Sequence, residues 1–294
     1  MYRNGPGLFI LSFIMILTLF ACGGNVTETD ESLAEATIEG VGDFTFDPDA
    51  VSTLRSDIFQ EGHFSVFDVL VHLDGLENLG LEYHFDQSLN THVITAMNDE
   101  SHWWYNVHYD GGWDEFSVFR MDLYPYKDRM TITFTQRYAD RIEDIHDVYA
   151  SEVRRLDAND GILIIPKVIL DGEVYEDVEV TPHHLRDDVF KDGVITAIDV
   201  VKSLGGEGTI DYELKWYDSI GRAEVVQSYW VHSLNGRSSE GRAGFVYESG
   251  DERFHRFSGN HIHLPSDTRV ITSPGYLEYF WIDLTSPFSG LDEE

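Results

Sequence analysis

The sequence predicts an α+β fold: two tandem copies of one domain, each a mixed or antiparallel sheet with one short helix, joined by a helix. Three observations carry this. Residues 54–73 (LRSDIFQEGHFSVFDVLVHL) and 185–204 (LRDDVFKDGVITAIDVVKSL) align without a gap at an offset of 131 (185 against 54). Runs of alternating apolar and polar residues follow each copy. Between the copies, residues 138–157 have a helical period. The chain of 294 residues carries 53 Asp+Glu against 20 Lys+Arg, a formal charge of −33. With 42% hydrophobic residues it holds enough apolar material for packed cores rather than disorder. The charge argues against nucleic acid, whose phosphates need a cationic surface, and against attraction to anionic lipid head groups.

Taken in order, residues 1–21 read as a targeting signal. Arg3 supplies the positive start, and Leu8 to Phe20 is an apolar stretch too short to span a bilayer as an ordinary helix. It ends in Leu19-Phe20-Ala21-Cys22, which resembles the lipobox of bacterial lipoproteins. That resemblance implies cleavage before Cys22, acylation of its thiol and a lipid-anchored, extracytoplasmic protein of the cell envelope. In a Gram-negative cell, Gly23 rather than Asp after the cysteine favours the outer membrane. Cys22 is the sole cysteine, which excludes a disulfide framework and Cys-based metal or haem sites. Residues 22–37 are small, polar and acidic and read as a disordered tether. Five lysines in so acidic a chain suit a salty medium, where ions screen the self-repulsion.

Repeat 1 spans 38–137 and repeat 2 spans 161–285, followed by an acidic tail over 286–294. Leu54/Leu185, Arg55/Arg186, Asp57/Asp188, Phe59/Phe190, Gly62/Gly193, Asp68/Asp199, Val69/Val200 and Leu73/Leu204 are identical, and the offset continues to Glu82/Glu213 and Phe85/Trp216. Repeat 2 opens with Ile162–Leu170 and Glu173–Val180 around Asp171-Gly172, a hairpin signal. Apolar residues three apart (Ile195, Ile198, Val201, Leu204, and Phe64, Phe67, Leu70, Leu73) predict one short helix per repeat, with Thr196 and Ser65 placed to cap it. Strands are expected at 81–86, 91–97, 103–109 and 130–135, and at 210–216, 225–232, 244–248 and 269–272. Tyr138, Ile142, Ile145, Tyr149, Val153 and Leu156 mark one face of a connecting helix over 138–160, which Asn159-Asp160-Gly161 ends as a turn.

Hairpin, helix, then further strands is the order of a β-grasp domain. Phe64-Ser-Val-Phe-Asp-Val-Leu, Thr91-His-Val-Ile-Thr-Ala-Met-Asn-Asp, Trp103-Trp-Tyr-Asn-Val-His-Tyr-Asp-Gly and Tyr126-Lys-Asp-Arg-Met-Thr-Ile-Thr-Phe follow one another in repeat 1. Together they resemble the transcobalamin-like C-terminal domain, a β-grasp module of bacterial lipoproteins and vitamin B12 carriers. Repeat 2 keeps Thr196-Ala-Ile-Asp-Val-Val and Ser233-Leu-Asn-Gly. The resemblance implies a β-grasp fold and brings a corrinoid into view as ligand.

Candidate binding residues come from two places. On the Trp103–Tyr109 strand, Trp103, Tyr105 and Val107 read as core, while Trp104, Asn106 and His108 share the opposite face. That face suits either a planar ligand or sugar, or a Trp lid over the sheet. Trp104, His108 and Trp113 are its candidates. In repeat 2, Arg237 and Arg242 on an inserted loop offer a cationic patch for an anionic group, or pair with their own carboxylates. His261-Ile-His263 places two imidazoles on one strand face, a spacing that fits a metal. There is no GxSxG, HExxH, P-loop or Rossmann glycine set. The expectation is a non-catalytic binding protein for a small molecule held by the aromatic face of repeat 1 or in the cleft between the repeats, with no cofactor required. The alternative is a structural or protein-interaction module of the envelope.

Overall fold

The computed structural model describes residues 33–109, 114–115, 117–220, 224–260 and 264–283. Cys22, Trp113, His261, His263 and the acidic tail lie outside them. The chain is α+β and mostly strand. Repeat 1 contains β1 (Ala34–Ile38), β2 (Gly42–Phe46), α1 (Val66–Glu77), β3 (Glu82–Asp86), β4 (Thr91–Ala96), β5 (Trp103–Tyr109), β6 (Asp114–Glu115) and β7 (Met130–Gln136). The helix α2 (Ala139–Ala158) follows. Then come β8 (Ile164–Leu170), β9 (Glu173–Glu179), α3 (Ala197–Gly206), β10 (Tyr212–Tyr217), β11 (Ser228–Leu234), β12 (Arg237–Ser238), β13 (Ala243–Gly250) and β14 (Tyr276–Asp283). Among the described residues no helix is long and apolar enough to cross a membrane.

The two halves carry the same sheet. One has the order β2-β1-β7-β5-β6, the other β9-β8-β14-β13. In each, the first strand forms an antiparallel hairpin with the second and runs parallel to the last. Separate hairpins, β3–β4 and β10–β11, follow the helices, and each has a bulge at the shared glutamate, Glu82 or Glu213. Asp171 and Gly172 both take positive φ (48° and 89°), as a two-residue hairpin turn with the twist of its strands requires.

The capping signals hold. Ser65 Oγ accepts from the Asp68 N–H (3.2 Å), and the Asp68 carboxylate accepts from the Ser65 N–H (2.7 Å). The Asp199 carboxylate takes the Thr196 N–H in the same way (2.8 Å). Left-handed Asn78 ends α1. Apolar faces then bury Phe67, Leu70 and Leu73 in one half and Ile198, Val201 and Leu204 in the other.

Three expectations are corrected. Residues 34–37, expected in the tether, form most of β1, because the Ala36 and Ile38 side chains are buried on the sheet. Residues 269–272 are not a strand. Val270 makes only an isolated bridge to Thr196, as Pro125 does to Ser65. The last strand of repeat 2 is instead β14, and insertions in this repeat hide the correspondence. Tyr138 does not pack on the core. It caps α2 and is 84% exposed, while Ile145, Val148, Tyr149 and Glu152 are buried.

The halves meet through equivalent segments. Phe59 and Phe190 form an antiparallel bridge with their rings 5.7 Å apart. Gln60 N–H donates to the Val189 carbonyl (2.9 Å) and Lys191 N–H to the Ile58 carbonyl (2.8 Å), each bond the counterpart of the other. Lys127 of the first half also reaches the Val226 carbonyl and the Ser228 hydroxyl of the second. Burial there lowers its ammonium to about 8, with Arg186 adding to the shift and Asp267 opposing it. The unfolded chain therefore binds one more proton than the folded chain between pH 8 and the ordinary lysine value of 10.5. Lys127 should contribute a rise in stability of about 2 kcal/mol between pH 8 and 10, read as the difference between the native chain and its Lys127 variant. Lys127→Met should abolish that rise. Urea titrations of both chains across this range measure it.

Candidate functional site

Each half is held by a buried arginine. Arg55 donates through Nε and Nη2 to Asp57 (2.9 and 2.8 Å) and through Nη1 to Asp122 (3.0 Å). Arg186 does the same with Asp188 (2.8 and 2.8 Å) and Asp267 (3.1 Å). The Phe85 ring covers one guanidinium at 5.4 Å and the Trp216 ring the other at 5.5 Å. A planar five-donor group satisfied on several sides is what makes arginine fit such a place.

The partners of the two inner carboxylates differ. Asp122 accepts from the Thr91 hydroxyl (2.6 Å), the His92 N–H (3.0 Å) and His92 Nδ1 (2.9 Å). Despite nearly complete burial, the hydrogen bonds of His92 and Thr91 and the Arg55 charge hold its carboxyl below the ordinary range. Asp267 accepts from the corresponding Tyr229 N–H (2.8 Å), but its Oδ1 has no hydrogen-bond partner. Burial therefore raises its carboxyl despite Arg186. Two substitutions explain the contrast. Ser228 replaces Thr91 and turns its hydroxyl to the Val226 carbonyl (3.0 Å), and Tyr229 replaces His92 and has no ring nitrogen to offer.

An ionised Asp122 is an acceptor only, so His92 Nδ1 carries a proton toward it, which fixes the orientation of the ring. The imidazole stacks on Phe67 (centroids 5.1 Å, 16° between planes), with the Phe85 ring edge-on at 5.1 Å. Beside it lies a cavity of about 290 Å³ between β4, the start of β5 and the first half of α2. His92, His102, His146, Trp103, Trp104 and Ile142 line it, with Thr95, Ser101 and Glu143. Burial lowers the His146 imidazole, with Asp86 opposing and Arg120 reinforcing, so it is neutral at pH 7. Trp103 Nε1 donates to the Met97 and Glu100 carbonyls (3.2 and 3.0 Å). Trp104 Nε1 donates to the Ser117 carbonyl (2.9 Å). Both indoles are thus fixed before any ligand arrives. Ser101 Oγ and His102 Nδ1 lie 3.0 Å apart at the rim. Behind the cavity, Arg120 pairs with Glu152 and stacks on Tyr149 at 4.1 Å. The arrangement offers aromatic faces, imidazole nitrogens and few charges, which suits a small planar or hydroxylated molecule.

Of the expected site residues that lie among the described ones, only Trp104 lines this cavity. It is 8% exposed, held under the 117–120 segment rather than open to solvent. His108, on the same strand face, is exposed and does not line it. Arg237 pairs with Asp171 (2.7 Å) and stacks over Trp281 (4.0 Å), and Arg242 is exposed beside β13. Neither lines the cavity, because the loop that carries them belongs to the second half. Sequence reasoning missed His92, His102 and His146. His146 had a readable signal: it lies four residues after Ile142 and three before Tyr149, on the face that α2 turns inward. Comparison with protein-family models, curated proteins and solved structures finds no match.

Asp122→Asn should cost about 3–5 kcal/mol, the loss expected when one partner of a buried pair is removed. Asp267→Asn should cost less, since that carboxylate already lacks a partner. The Asp122 contribution is present above its unfolded value of 3.8 and is lost as pH falls through the lower folded value. Asp267 runs the other way, its burial cost easing as pH falls. Urea denaturation of the native chain and both variants at pH 7 and at pH 2.5, below the ordinary carboxylate range, checks the order and the sign.

Proposed function

We propose that this chain is a lipid-anchored extracytoplasmic binding protein that performs no chemistry and holds a small planar or hydroxylated molecule in the cavity between β4, β5 and α2. The observation that carries the reading is that two hydrogen-bonded indoles and an Asp122-anchored His92 line one cleft. A volume near 290 Å³ is well below that of a corrinoid, so the ligand is smaller than the one the family resemblance implies. The lipobox at Leu19–Cys22 supports the anchor. Each half reads as a β-grasp-like domain, supported by a helix placed between the first hairpin and the later strands and by a last strand parallel to the first. The alternative, an envelope module that pairs through a sheet edge, is weakened by β9. That edge strand carries Glu173, Glu176, Asp177 and Glu179, and charged edges resist pairing.

Indole serves as a probe of suitable size. Saturation-transfer NMR on the full-length chain in detergent should detect indole binding. Ile142→Trp, which fills the cavity without removing a polar group, should weaken it at least about tenfold, a change of roughly 1.4 kcal/mol. Arg237→Ala should leave it unchanged. Binding that survives Ile142→Trp would place the ligand elsewhere, and no binding to the native chain would remove the support for a planar ligand.

A further inference from the structure

β13 and β14 place Glu248 and Glu278 directly opposite each other. Like charges in that position repel. The matching positions of the first sheet, by the registers of β1 with β7 and β8 with β14, are Asn106 and Thr133, also paired and both neutral. The second half alone has placed two carboxylates here.

Glu248 is fully buried, at 0% exposure. Its Oε2 accepts the Arg256 N–H at 2.7 Å, while its buried Oε1 accepts no hydrogen bond. His255 Nε2 lies 3.0 Å from that Oε1, within ion-pair distance. The His255 ring stacks on Tyr276 (centroids 6.2 Å, 22°), which fixes its plane, and half of the side chain remains open to solvent. One ligand atom from each of Glu248, His255 and Glu278 lies within 4.8 Å of the others. An ion bonded at about 2.1 Å holds neighbouring ligand atoms roughly 3.0–3.5 Å apart. The Nε2–Oε1 separation already meets that spacing, and Glu278, half-buried, is within a small movement of it.

We propose that Glu248, His255 and Glu278 form a divalent metal site, with solvent completing the coordination on the exposed side of His255. One imidazole with two carboxylates is a mixed nitrogen and oxygen set, which suits Zn²⁺ among the common ions. The cation would remove the cross-strand repulsion and give the buried Glu248 Oε1 a full positive charge to face. The site is separate from the cavity of the first half, so either assignment stands or falls alone.

Isothermal titration of ZnCl₂ into the full-length, chelator-stripped chain in detergent, at neutral pH and physiological salt, tests this. Saturable binding of one Zn²⁺ per chain is expected, weakened at least about tenfold in His255→Ala and in Glu278→Gln. Both substituted side chains are at least partly exposed, so the variants should fold. Co²⁺ absorption should report nitrogen ligation that disappears in His255→Ala. No saturable binding would overturn the site. So would several weak equivalents unchanged by both substitutions, the diffuse cation uptake of a chain at −33.

Discussion

A buried guanidinium clamped between two aspartates is the constraint on which each half depends. Arg55 and Arg186 sit in the loop ahead of a helix, and their inner partners, Asp122 and Asp267, sit just before the segment that leads into the last strand. The same aspartates also take a backbone N–H from the middle hairpin, at His92 and Tyr229. One charge pair therefore fixes three segments far apart in sequence. Removing a charge pair from water is costly, and it persists only where the remaining donors and acceptors are also met. The aromatic cover from Phe85 and Trp216 keeps water from the guanidinium faces.

From this common frame the halves diverge by small changes. Thr91 and His92 complete the hydrogen bonds of Asp122, and His92 is thereby set as a wall of the cavity. Ser228 and Tyr229 leave Asp267 short of one partner, and Lys127 from the other half lies close by. At the strand position where the first half has Trp104, the second has Val246. In the first half, Trp104 and α2 line the same cleft. One half thus has a cleft lined by rings, and the other sets two carboxylates opposite each other on its sheet.

Much of the frame was legible in the chain. The ungapped repeat marks both arginines, their outer aspartates and the capping aspartates at once. Asp171-Gly172 and the three-residue apolar spacing name a hairpin and the helices, because those signals are local. The inner aspartates were not legible. They match at an offset of 145 (267 against 122) rather than 131, and around them the two sequences share almost nothing else. β14 was missed for the same reason. The cavity could not be read either, since it is made by a helix folding onto strands some fifty residues earlier, and helix period alone does not say which strands lie beneath.

The bridge at Phe59 and Phe190 has a consequence for how such a chain could arise. Two equivalent segments that pair with each other about a local twofold axis make a self-complementary contact. A single copy would meet a second molecule through the same segment, at a strength set by its concentration. Joining the copies in one chain replaces that concentration by an effective one, of millimolar order for short connections. Once the partner is always present, neither copy needs to remain complementary to itself. Gln60 and Lys191, which occupy the same position and bond to each other at 2.9 Å, use this freedom: a pair of unlike residues holds the axis, which two separate identical copies could not provide.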